Sequence, residues 1–390
     1  YQPSGKSQRP AVRSPAPAVM QLPPLGLYVH LPWCERKCPY CDFNSHEADS
    51  VPEAHYIRTL LQDLEDDLYL LQGRAIDTLF IGGGTPSLFS ATAIRQLLQG
   101  IAERAPLAPT LEATMEANPD SAEADKFYGF REAGINRLSL GIQSFNDAHL
   151  QALGRIHTSD QAHAAIEFAR DAGFDSINLD LMHGLPGQTQ RDAENDVLSA
   201  IHCKPAHISW YQLTIEPNTV YHKRPPRLPV EDELADIQHS GEQLLAVHGY
   251  AQYEVSAYSS PGLNCRHNRN YWSFGDYLGI GAGAHGKISF ADGRVQRLAK
   301  RRQPQEYMQA GSGNFVGRTR NVGRDEIVGE FMMNALRLNG GFTLSQFTSR
   351  TGLDRAVLAS RLALLGQREL LDCTGETVKA TAFGRRFLDS

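Results

Sequence analysis

The 390-residue chain reads as an α/β protein: a partial (βα)6 barrel followed by a C-terminal helical, winged-helix-like module. Three observations carry this expectation. Short apolar runs rich in β-branched residues alternate with longer runs of helical period, a pattern that gives crossovers and a parallel sheet. Six such units are too few to close an eight-fold barrel of about 250 residues, so one side stays open. From Arg324 onward the pattern changes to three helices and then two short strand-like runs.

Taken in order, residues 1–24 form a Pro-, Ser- and Ala-rich leader without the apolar core of a signal peptide, and read as flexible. Strands are expected at Leu27–Leu31, Thr78–Ile81, Leu111–Glu116, Arg137–Ile142, Ser176–Met182 and Ile208–Thr214. Between the first two, Tyr56, Ile57, Leu60, Leu61, Leu64, Leu68 and Leu71 recur at helical spacing. Helices are also expected at Ala91–Ala105, at Ala122–Ala133 ending on Gly134, and at Ser159–Ala172 ending on Gly173. Residues 25–216 therefore make the barrel. Residues 217–323 make an extension: a helix over Glu231–His248, a strand near Gln252–Ala257, a Gly-rich segment from Gly275 to Gly286, and a polar linker over Arg301–Gly323. Residues 324–390 make the module, whose strands are expected near Glu369–Asp372 and Thr377–Ala380. The winged-helix shape does not by itself imply DNA binding.

Composition excludes several classes. A hydrophobic fraction of 41% with 21% charged residues supports a buried core and excludes wholesale disorder. With 38 Lys and Arg against 44 Asp and Glu, the net charge is -6, which argues against nucleic acid as a partner. No apolar run reaches the roughly 18 residues of a membrane span, although a transient association with a membrane stays open.

Of the six cysteines, Cys34, Cys38 and Cys41 fall in the run C-E-R-K-C-P-Y-C, just after the first expected strand. A disulfide framework does not suit so large a chain, and a reducing, cytoplasmic setting with a metal or cluster site fits better. Thiolates suit iron–sulfur clusters or zinc. Three cysteines on a [4Fe–4S] cluster leave one iron for a non-protein ligand. A Cys3His zinc site completed by His30 or His46, or chance clustering, are the alternatives.

Polar residues gather at the C-terminal ends of the other strands. Ile81-Gly82-Gly83-Gly84-Thr85-Pro86 follows the second strand and lets a ligand approach the backbone, though it also serves as a plain tight turn. Glu116, Gln143 and Asp180 end or sit within the third, fourth and fifth strands, where side chains meet at a barrel mouth. Further on, His267-Asn268-Arg269-Asn270-Tyr271-Trp272 puts an imidazole beside two aromatic rings. Alone, that run reads as a structural histidine with core aromatics. The remaining histidines, of 14 in all, show no common ligand spacing.

The run Tyr28-Val-His-Leu-Pro-Trp-Cys34-Glu-Arg-Lys-Cys38-Pro-Tyr-Cys41-Asp-Phe-Asn-Ser resembles the radical S-adenosylmethionine (SAM) proteins. Within them it is similar to the group of oxygen-independent coproporphyrinogen III oxidases and HemW-type heme chaperones. The resemblance covers nearly the whole chain from about Leu25. It implies a radical SAM barrel with a [4Fe–4S] cluster on Cys34, Cys38 and Cys41, whose fourth iron chelates SAM. It implies that Gly83, Gly84, Thr85, Glu116, Gln143, Arg155 and Asp180 contact SAM, that Tyr28 and Tyr40 flank cluster and ligand, and that Thr214 and His285 are further contacts. The oxidases carry an extra cysteine two positions after the third ligand, where this chain has Phe43. Cys41-Asp-Phe-Asn-Ser45 and the HNxxYW run instead resemble the chaperones. That side of the resemblance implies heme as cargo, His267 as its iron ligand with Cys265 as the alternative, and acceptor hemoproteins as partners. The other side implies an oxidoreductase that decarboxylates coproporphyrinogen III.

Overall fold

The computed structural model describes residues 21–120 and 126–388. Most of the expected leader, and the start of the helix expected at Ala122, lie outside the described residues.

Strands β1 (Leu25–Leu31), β2 (Ile76–Gly83), β3 (Leu107–Ala117), β4 (Arg137–Gln143), β5 (Ser176–His183) and β6 (His207–Gln212) pair in parallel in sequence order. Several are almost continuously buried, as strands covered on both faces should be. Helices cover the outer face. Helix Glu53–Asp67 buries Tyr56, Ile57, Leu60 and Leu64, and a single 3-10 turn, Leu68–Leu71, completes that apolar stripe. The side chain of Ser90 accepts the Ala93 N–H to start helix Ala91–Arg104. Thr158 and Gln161 form a reciprocal capping box that starts Ser159–Asp171. Such caps contribute about 1 kcal/mol each. Helix Phe127–Ala133 ends on Gly134 at φ 114°, a left-handed conformation that glycine adopts without a Cβ penalty.

The extension is more regular than its sequence. Strands β7 (Ala251–Glu254) and β8 (Ala257–Ser259) continue the sheet beyond β6 in antiparallel fashion. On the other side, β9 (Asp276–Ile280) lies parallel to β1, and β10 (His285–Ser289), β11 (Val295–Lys300) and β12 (Val316–Asn321) follow antiparallel. The twelve-stranded order is β12-β11-β10-β9-β1-β2-β3-β4-β5-β6-β8-β7. The Gly-rich segment is thus β9 and the start of β10, and β9 is a seventh parallel strand. Gly279 masks its signal, yet is needed there because a Cβ would overlap the His285 carbonyl. The expected linker over Arg301–Gly323 holds helix Pro304–Gln309 and β12. That strand, Val-Gly-Arg-Thr-Arg-Asn, is polar because it forms the sheet edge, where charge blunts further pairing.

The C-terminal module comprises helices Arg324–Ala335, Leu344–Thr351 and Ala359–Gln367 with a sheet of Phe342–Thr343, Thr377–Ala380 and Leu371–Thr374. Its core centres on Phe331, whose ring meets Phe342 and Phe347 edge-on and also Phe274 of the extension. Glu330 ties the module to β11 through Arg297. Among the described residues no helix is long and apolar enough to cross a membrane.

Candidate functional site

Strand β1 leads into the cysteine loop. Trp33–Cys34 pairs with His46–Glu47 and clasps the loop at its base. Lys37 Nζ donates to the Phe43 and Ser45 carbonyls, and Asn44 Nδ2 donates to the carbonyls of Ala282 and Arg302. Cys34, Cys38 and Cys41 are free of disulfides and line one cavity of about 570 Å³. Burial pushes the Cys34 and Cys41 thiols up, an effect that a cation coordinated between them reverses. His30 and His46, the candidates for a fourth zinc ligand, do not line this cavity. His30 spends one ring nitrogen on the Tyr28 hydroxyl at 2.9 Å and the other on the Asn44 carbonyl at 2.9 Å. Three thiols without a fourth protein ligand suit a [4Fe–4S] cluster with one open iron.

The strand ends deliver the rest of this cavity: Gly83, Gly84 and Thr85 from β2, Glu116 from β3, Gln143 from β4 and Asp180 from β5, with Tyr40, Arg155 and Thr214. A Cβ on Gly84 would overlap the Trp33 backbone, and one on Gly83, at φ 124°, would lie 2.7 Å from the His30 ring. Glu116 Oε2 accepts the Gly83 N–H at 3.1 Å. Burial, and then the charge of Asp180, push Glu116 up to about 7. Asp180 accepts from Ser139 Oγ at 2.7 Å and Asn178 Nδ2 at 2.9 Å, and burial raises it as well. Gln143 sits at φ 66°, a left-handed conformation that costs a non-glycine residue about 1–3 kcal/mol, and its Oε1 accepts from Tyr211 Oη at 2.9 Å. Arg155 donates to Asn118 Oδ1 and the Gly141 carbonyl, both at 2.8 Å, and reaches Cys38 Sγ at 3.8 Å. Its Nε is buried and has no hydrogen-bond partner among the described residues. A guanidinium, two carboxylates and an amide around three thiols suit an amino-acid carboxylate and ribose hydroxyls, the groups SAM presents.

The sequence reading missed Asn118, Ser139, Asn178 and Tyr211, which hold the expected residues in place. For Ser139 and Asn178 the signal was the period of two: Ser139 and Gly141 share one face of β4, and Asn178 and Asp180 share one face of β5. Tyr28 and His285 lie instead on a second, adjoining cavity of about 720 Å³, which shares Asp42, Phe43, Gly83 and Glu116 with the first. Its far wall carries Tyr271, Trp272 and Tyr277.

His267 belongs to helix Arg266–Trp272, whose first N–H groups are capped by the Glu112 carboxylate at 3.0 and 3.1 Å. The His267 ring is buried and stacked on Phe80. Its Nδ1 pairs with Thr78 Oγ1 at 2.8 Å and its Nε2 with Tyr271 Oη at 3.0 Å. Burial, and then the Arg137 charge, push it down to about 3, so it is neutral. Neither ring nitrogen is open to an iron in this conformation, and Cys265 is likewise buried. His285 heads β10, is exposed to the second cavity, and makes no side-chain hydrogen bond to a described residue. Burial and the Arg297 charge keep it below the ordinary imidazole value.

Comparison with known proteins places this geometry. The Radical SAM superfamily model matches residues 28–200, and the HemN C-terminal domain model matches residues 322–387. The solved structure of the coproporphyrinogen III oxidase HemN from Escherichia coli, described as a radical SAM enzyme, superposes with a TM-score of 0.80, covering 96% of this chain and 90% of that one at 24% identity. The fold is thus that of the radical SAM proteins. Curated relatives narrow the family. The heme chaperone HemW of Escherichia coli (strain K12) is 49% identical over 95% of this chain and 98% of its own length. That of Haemophilus influenzae is 47% identical over 95% and 97%, and that of Bacillus subtilis 34% over 92% and 95%. The chain belongs to the HemW family.

Proposed function

We propose that the chain binds heme as cargo and hands it to acceptor hemoproteins in the cytoplasm, with a [4Fe–4S] cluster and SAM held at the barrel mouth. The observation that carries this reading is the pair of adjoining cavities. One gathers three thiols with Glu116, Gln143, Arg155 and Asp180. The other, walled by Tyr271, Trp272 and Tyr277, offers flat apolar faces to a porphyrin. The names of the relatives point to the same cargo.

Cys34, Cys38 and Cys41 would hold the cluster, which would supply one electron to a bound sulfonium. Arg155 would pair with the SAM carboxylate, the Gly83–Gly84 backbone would take its amino end, and Glu116 and Asp180 would hold ribose hydroxyls. Tyr40 flanks the thiols and excludes water. His267 fixes the aromatic wall: its bond to the Tyr271 hydroxyl, with Thr78 behind it, orients that ring. For His267 to bind iron directly, one of these two hydrogen bonds must be given up, since the ligating nitrogen needs its lone pair while the other can keep its partner.

The test is an anaerobic spectroscopic titration of the cluster-reconstituted protein with heme, with and without SAM. Saturation near one heme per chain is the expected result. Absence of saturable binding, together with deoxyadenosine release from SAM and turnover of coproporphyrinogen III, would replace this reading with the oxidoreductase.

A further inference from the structure

We propose that the cargo heme sits in the second cavity with its iron on His285, while His267 is a positioning residue behind the wall. This rests on the heme reading above and concerns where that heme binds. Two imidazoles line the cavity, His30 and His285. His30 has both nitrogens engaged, by Tyr28 and Asn44. His285 is exposed and its ring makes no hydrogen bond to a described residue.

The surroundings fit the three chemical parts of a heme. An iron needs a nitrogen lone pair, and His285 offers it from a fixed backbone: its strand is paired with β11 at Ala299, and Gly279 lies against its carbonyl. A flat macrocycle needs apolar faces, and Tyr271, Trp272 and Tyr277 supply them from the helix and from β9. Tyr271 packs edge-on between His267 and Tyr277, at centroid distances of 4.7 and 4.3 Å, which fixes the orientation of its ring. Propionates need cations. Arg302 lines the cavity, is exposed, and among the described residues its guanidinium bonds only through Nε, to Asn44 Oδ1 at 3.2 Å. A volume of about 720 Å³ lies in the range of about 300–1,000 Å³ found for ligand pockets.

The position of Phe43 follows from the same geometry. It lines both cavities with 61% of its surface exposed, so it stands between the cluster side and the cargo side. There it presents a ring to the porphyrin where a cysteine would offer a competing iron ligand.

The experiment uses the full chain with its cluster reconstituted, in wild-type, His285→Ala and His285→Met forms. Each is titrated anaerobically with heme, and the iron–imidazole stretch of the ferrous complex is read by resonance Raman spectroscopy. His285→Ala is expected to lose that stretch and at least about tenfold in heme affinity, the scale on which changes at a metal site register. His285→Met is expected to bind heme with a thioether signature. Both should keep the wild-type cluster content and circular dichroism. A His285→Ala protein with wild-type affinity and an unchanged stretch overturns the assignment and leaves the heme reading intact. A wild-type chain that takes up no heme saturably overturns both.

Discussion

Lys300 is the best place to test how the site is supported. It ends β11 and its Nζ lies between the carboxylates of Asp63 and Asp67, the latter at 2.6 Å, with all three side chains at most 5% exposed. Asp63 also accepts from Tyr307 Oη at 2.6 Å and from the Gly281 N–H at 3.3 Å. The cluster of charges therefore pins the turn between β9 and β10 that carries His285. Lys300→Met keeps the length of the side chain and leaves two buried carboxylates without a cation. Breaking a buried pair in this way costs about 3–5 kcal/mol, most of it the desolvation of the stranded charge. The assay is urea unfolding of the full chain, followed by far-ultraviolet circular dichroism across a pH series. Burial already holds Asp63 up at about 6 against the pull of Lys300. A carboxyl raised above its unfolded value binds its proton more tightly when folded, so it favours folding at low pH and loses that contribution as pH rises through the folded value. Without Lys300 the Asp63 carboxyl rises further, so the Lys300→Met deficit should be largest at alkaline pH and shrink as pH falls toward about 6. Adding Asp63→Asn and Asp67→Asn should recover most of it, because a neutral set has no stranded charge. A deficit under about 1 kcal/mol, or one that does not change with pH, would refute the argument.

Three further outcomes are expected. Gly84→Ala drives a Cβ into the Trp33 backbone and should lower SAM affinity, by calorimetry on the reconstituted protein, with little change in helix content; unchanged affinity would mean the turn can move away. Glu116 is raised by burial to about 7, so wild-type stability should fall as pH rises from the ordinary carboxyl value of 4.5 through about 7, and Glu116→Gln should flatten that slope in urea midpoints. Phe331→Ala empties the centre of the module and should cost about 3–5 kcal/mol, seen as an earlier transition in scanning calorimetry.

The alternating segments and the CxxxCxxC loop were legible from the chain alone, because helical and strand periods are local and ligand spacing is local. So were Glu116, Gln143 and Asp180, whereas Arg155, on a loop between two helices, came only from the family resemblance. Those three come from separate strands, yet parallel strands bring their C-terminal ends to one mouth whatever the loops between them. The sequence by itself thus determined the family of fold and the residues gathered at that mouth. Only the tertiary structure decided which imidazole is free. His267 and Thr78 are 189 positions apart, and no pattern within one segment reports that their side chains meet. Strand β9 was hidden for a related reason: Gly279 weakens its local signal, and its need appears only where the His285 backbone lies against it. Local periodicity shows which face a residue takes. What it touches there depends on elements far away in the chain, and those contacts leave His267 committed and His285 open.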